Sequence, residues 1–145
     1  MLLPTRLPYK SIMIEVLYRF IANKKIMIAA SWIWAAIVFV LHVVQIESEG
    51  KRRKLIPHLD KVVHFTMFAV LAFLMYRALS SKTLQQGRNM LLIFFVCMAY
   101  GAAMEYVQAA YFVGRDGDPL DWFADLTGTV CALVFARWLK VIPAQ

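Results

Sequence analysis

Four apolar runs, each about as long as a bilayer is thick, leave this chain almost no choice of fold. They lie at 26–46, 61–79, 90–113 and 120–142 and use more than half of the 145 residues. A spanning helix needs about 20 mostly apolar residues, and in hydrocarbon the backbone polar groups are satisfied only within helices or a closed barrel. The predicted fold is therefore all-α, a polytopic membrane bundle of four transmembrane helices. Residues 1–145 form a single domain with short connections and no room for a soluble one. A composition that is 61% apolar, with a mean hydropathy of +0.62, excludes an ordinary soluble domain of this size.

The formal net charge of +7 would point to nucleic acid in a soluble protein, but here the basic residues flank the apolar runs. Membrane orientation and lipid headgroups account for them, and no nucleic-acid partner is expected. The first run starts late, is long enough to span and lacks a small-residue cleavage pattern, so it reads as an anchor and not as a removable signal. Cys97 and Cys131 fall inside apolar runs and act there as small hydrophobes.

The stretch 100–128 departs from this composition, because it places Glu105, Gln108, Arg115, Asp116, Asp118, Asp121 and Asp125 beside apolar runs. Glu105 lies about eight residues, or about 12 Å, from the end of its span at 1.5 Å per residue. An acidic group near the centre of a span costs about 3 kcal/mol on insertion scales, so Glu105 has to be protonated, paired, or turned to a wet cavity. Asp118 before Pro119 is a strong helix start, with Asp118 as N-cap and Asp121 in the first turn. Asp125 is one turn deeper and is not explained by capping. It shares the stripe Asp121, Asp125, Gly128, Ala132, Ala136, whose small residues suit close helix contact, so it is expected to face the bundle interior.

Elsewhere the reading is less sharp. Residues 1–25 form a basic N-terminal segment that fits a short interfacial helix or an orienting tail. His42 and Gln45 sit near the end of the first span and read as boundary residues, with a site role as the lesser alternative. The run Lys51, Arg52, Arg53, Lys54 reads as a solvated connection able to attract anionic groups, and 77–89 as a short polar loop. Asp60 and His64 are four apart and share a helix face, with Asp60 also suited to cap the second span.

Reversal at each connection puts the start of span two, the end of span three and the start of span four at one membrane face. Asp60, His64, Glu105, Gln108, Arg115, Asp121 and Asp125 are thereby gathered without any further assumption. Lysine and arginine counts, ten on the side of both termini against six on the other, favour cytoplasmic termini and an outward-facing polar cluster.

These residues also carry a resemblance. The segments PHLDKVVH at 57–64, EYVQ at 105–108 and GRDGDPLDWFADLTG at 114–128 resemble, in order and spacing, the VanZ-like family of small bacterial integral membrane proteins over about residues 55–135. Asp60, Lys61, His64, Glu105, Gln108, Arg115, Asp121 and Gly128 match that family's characteristic positions, whereas Asp125 stands where asparagine is usual and Phe68 where tyrosine is common. The resemblance implies a role in the cell envelope at the bacterial inner membrane, associated with resistance to the glycopeptide teicoplanin.

Three function classes are compatible with these groups. In the first, a lipid-linked or cell-wall precursor, or a glycopeptide, is bound by Asp60, Lys61, Gln108, Arg115 and Asp125. His64 then serves as general acid or base, poised by Asp60 or Glu105, and Asp121 completes the set. In the second, the same groups are a non-enzymatic pocket or helix-packing network; in the third, Glu105 is the proton site of a carrier, which four spans suit poorly. No cofactor is expected. A divalent metal is a minor variant, because the region offers one histidine and no compact motif such as HExxH.

Overall fold

The computed structural model describes residues 20–43, 59–79, 83–111 and 118–138. The described residues contain four long helices: α1 (Lys24–Val43), α2 (Leu59–Leu79), α3 (Thr83–Tyr111) and α4 (Pro119–Trp138). All four are long and apolar enough to cross a membrane. The N-terminal segment up to residue 19, Gln45, the basic run Lys51 to Lys54, and the turn that carries Arg115 lie outside the described residues.

The helix ends follow from local chemistry. Asn23 caps α1, its Oδ1 accepting from the backbone N–H groups of Lys25 (3.0 Å) and Ile26 (3.3 Å). Asp118 caps α4 in the same way, accepting from the Leu120 N–H at 2.8 Å, while Pro119 at the first helical position has no N–H to satisfy. Within the spans, the hydroxyls of Ser31, Thr66, Thr127 and Thr129 donate to carbonyls one turn back, which satisfies them where no water is present.

α2 is the most enclosed helix and packs most extensively on α4. The contact is set by Gly128, because a Cβ there would run into the carbonyl group of Phe65 on α2. Asp125, Gly128, Ala132 and Ala136 are all buried along the α4 stripe, so small residues bring the two backbones together. The core continues through Val38, Phe68, Leu71, Ile93, Cys97 and Leu133. Directional bonds add to it: Trp34 Nε1 donates to the Met67 carbonyl (2.9 Å), Tyr100 O–H to Ala35 (2.7 Å) and Trp122 Nε1 to Met98 (3.1 Å). Large apolar side chains such as Ile33, Leu41, Leu91, Phe95, Val134 and Phe135 are exposed, as a bundle solvated by lipid requires.

The polar loop expected at 77–89 is largely helix. α2 continues to Leu79 and α3 already begins at Thr83, because Gln85, Gln86 and Arg88 are good helix formers whose polarity does not end a helix at a membrane surface. Asn89 secures the junction by donating its side-chain N–H to the Leu79 carbonyl, one of the carbonyls left over at the end of α2. Arg77, read as the start of that loop, is 1% exposed and donates from Nη2 to the Ile21 carbonyl at 2.9 Å.

Candidate functional site

The polar side chains gather at the end of the bundle where α1 and α3 finish and α2 and α4 begin. Lys61, in the first turn of α2, reaches across to α4 and donates to Asp118 Oδ2 and Asp121 Oδ1, both at 2.7 Å, with Asp60 Oδ2 at 4.0 Å. One turn deeper, His64 Nδ1 lies 3.1 Å from Asp125 Oδ1, and His64 Nε2 lies 3.9 Å from Asp121 Oδ2. A carboxylate only accepts, so with Asp125 ionised the proton sits on Nδ1 of His64. From α3, Glu105 Oε2 accepts the backbone N–H of Asp118 at 2.8 Å, six residues before Tyr111 ends the helix.

α1 contributes a residue that sequence reasoning placed at the boundary. His42 is 3% exposed; its ring meets that of His64 edge-on at 4.8 Å between centroids, and Phe68 lies beneath it at 6.4 Å. His42 Nδ1 is 2.7 Å from the Val38 carbonyl, which can only accept, so Nδ1 carries the proton here too. Gln108 of α3 donates from Nε2 to the His42 carbonyl at 3.3 Å. The signal was available, since the end of span one shares a membrane face with the start of span two. The pull of interfacial water made the residue look peripheral.

The described structure thus brings together Lys61, His64, Glu105, Gln108, Asp121 and Asp125, and adds His42 and Asp118. Asp60 stands at the rim, with 41% of its side chain exposed, and it lies within the first turn of α2 instead of preceding it. The carboxylate that orients His64 is Asp125, where Asp60 or Glu105 was expected, because the stripe on α4 turns Asp125 inward against α2. Arg115 lies outside the described residues.

Two acceptors in the cluster are conspicuous. Glu105 Oε1 and Asp125 Oδ2 are buried and receive no hydrogen bond from the described residues. Gly101 leaves the room for Asp125, since a Cβ on it would stand 3.0 Å from Oδ2. Outside the membrane-spanning segments, the Lys61 ammonium beside Asp118 holds that carboxyl below the usual carboxylate range, with the Leu120 N–H helping. One ligand-capable atom each of His42, His64 and Glu105 lies within 4.8 Å of the other two. A separate groove of about 430 Å³, lined by residues including Ile28, Trp32, Leu71 and Met75, is apolar. It offers mainly contact to hydrocarbon, and the hydroxyl protons of Ser31 and Tyr100 on its wall are already donated to carbonyls.

Four membrane-crossing helices around buried ionisable groups define a small polytopic membrane protein with an intramembrane polar cluster, the arrangement in which charged side chains inside a span are ordinarily found. A family profile described as VanZ/LLP1 matches residues 6–140, nearly the whole chain. The chain belongs to this family and is a VanZ-like membrane protein. Neither the curated proteins nor the solved structures contain a match.

Proposed function

We propose that the polar cluster binds the headgroup of a lipid-linked or cell-wall precursor, or a glycopeptide, at the outer face of the bacterial inner membrane, with both termini in the cytoplasm. The observation that carries this reading is the pair of buried carboxylate oxygens, on Glu105 and Asp125, that accept no hydrogen bond from the described residues. Leaving a buried acceptor unsatisfied costs about 1–3 kcal/mol, so such atoms call for a donor from outside. Sugar hydroxyls, peptide amides and amines are donors, and glycan-peptide headgroups are rich in them. A phosphate or carboxylate on the same ligand would turn to Arg115 and the basic run at 51–54. If the headgroup is transformed, His64 is the general acid or base, held by Asp125, with Asp121 next to its second nitrogen.

The test is binding of a fluorescent lipid-linked precursor to the purified full chain in detergent. His64→Gln and Arg115→Lys should each weaken binding at least tenfold while the melting temperature is retained; unchanged binding overturns the proposal. Teicoplanin tolerance of cells with and without the chain is the companion readout. Reporter fusions at Gln145 and in the 114–118 turn test the orientation, and a cytoplasmic turn would defeat it.

A second reading, a helix-packing network without a ligand, is favoured by the Lys61 bridge between Asp118 and Asp121. Under that reading Glu105→Gln and Asp125→Asn lower stability in proportion to any loss of binding.

A further inference from the structure

His42 of α1, His64 of α2 and Glu105 of α3 come from positions far apart in the chain, and one ligand-capable atom of each lies within 4.8 Å of the other two. We propose that these three side chains form a binding site for one divalent transition-metal ion of the zinc class, with a fourth position open. The proposal goes beyond headgroup recognition and does not depend on it.

The groups behind the three donors carry the argument. A metal-binding imidazole ordinarily donates its other N–H to a carboxylate or a backbone carbonyl, which fixes the tautomer and aims the remaining nitrogen. Both imidazoles are held in this way, His64 Nδ1 by Asp125 at 3.1 Å and His42 Nδ1 by the Val38 carbonyl at 2.7 Å. In each ring the lone pair is then on Nε2. Glu105 is anchored likewise, since its Oε2 accepts the Asp118 N–H at 2.8 Å while its buried Oε1 accepts nothing from the described residues.

The donor chemistry selects the ion. Two imidazoles and one carboxylate suit zinc and its neighbours, whereas calcium and magnesium want shells of oxygen. Donors of a tetrahedral zinc stand about 3.3 Å apart, so the three donor atoms, which lie within 4.8 Å of one another, have to draw together by up to about 1.5 Å on binding. Three protein ligands leave room for a water or a ligand oxygen, and Asp121, 3.9 Å from His64 Nε2, is the neighbouring carboxylate that would accept its proton. A bound cation would also offset the acidic balance of Asp60, Glu105, Asp118, Asp121 and Asp125 around Lys61. The three ligands come from separate helices, so no local spacing in the sequence reveals them.

The experiment uses the full untagged chain in detergent, stripped with chelator and then titrated with zinc by calorimetry, with metal content counted by mass spectrometry. Expected are one zinc per chain at micromolar or tighter affinity and a higher melting temperature. His64→Gln and Glu105→Gln should each lose at least a hundredfold in affinity. Asp125→Asn should keep the stoichiometry and lose about 10–100-fold, as loss of a supporting hydrogen bond to a ligating histidine does. Cys131→Ser should bind as wild type. If either glutamine variant fails to fold, His42→Gln takes its place. Wild type that takes up no zinc, or uptake that these substitutions leave unchanged, overturns the proposal. Binding of the fluorescent precursor measured in excess chelator separates the two ideas: precursor binding without zinc uptake removes the metal site alone.

Discussion

Gly128→Ala is a one-carbon change with a large predicted cost. The added Cβ would stand 2.9 Å from the carbonyl carbon and 3.1 Å from the Cα of Phe65, and still closer to the carbonyl oxygen. All three atoms are backbone, so no side-chain rotation relieves the clash. Carbon atoms settle at about 3.5–4.0 Å, which forces α2 and α4 apart locally by about 0.5–1 Å. Overpacking of this kind costs about 1–3 kcal/mol, and a rigid neighbour puts the expectation at the upper end. At about 2–4 °C per kcal/mol, the melting temperature in detergent should fall by about 5–10 °C. The same displacement acts one turn away on the 3.1 Å contact between His64 and Asp125. Gly87→Ala is the matched control: nothing lies within 4 Å of its Cβ position, so helix propensity alone applies. That substitution should stabilise by about 0.5–1 kcal/mol. Thermal unfolding followed by tryptophan fluorescence decides the sign of each. If Gly128→Ala is as harmless as Gly87→Ala, the close approach of α2 and α4 is wrong.

Other expectations follow from the same geometry. Lys61 keeps the folded-state carboxyl of Asp118 below its ordinary range, so the stabilisation from Asp118 is fully present above about pH 4 and is lost as pH falls through the lower folded value. Asp118→Asn should therefore differ from wild type in stability at neutral pH and converge with it in acid; a gap that widens in acid would refute the pairing. A double-mutant cycle on Lys61→Ala and Asp121→Ala should give a coupling of about 0.5–1 kcal/mol, modest because Lys61 is partly exposed, and additivity would remove the bridge. Tyr100→Phe deletes the bond from α3 to the Ala35 carbonyl and should cost about 0.6 kcal/mol in detergent unfolding; a gain in stability would contradict it.

Much of this bundle is legible in the sequence, because length and hydropathy suffice to place a spanning helix. The inward turn of Asp125 was also readable, since the small residues at 128, 132 and 136 identify the packed face of α4. What sequence does not show is which neighbour a side chain meets. His64 takes Asp125 because α2 and α4 touch at Gly128, a fact about two helices sixty residues apart. His42 and Arg77 were read as end residues for the same reason: polarity near the end of a span fits both a snorkelling side chain and one folded inward. Only packing distinguishes them, and it buries both.

Cross-linking in native membranes tests most directly whether four helices share one polar cluster. In a Cys97→Ala, Cys131→Ser background, His64→Cys would be paired in turn with His42→Cys on α1, Glu105→Cys on α3 and Asp125→Cys on α4, and treated with a short rigid thiol cross-linker. The control pairs His64→Cys with Leu133→Cys, eight residues and about 12 Å farther along α4. A shared cluster requires all three test pairs to link rapidly within single chains while the control does not. Linkage of the control at the same rate, or failure of the pairs to link, would contradict it.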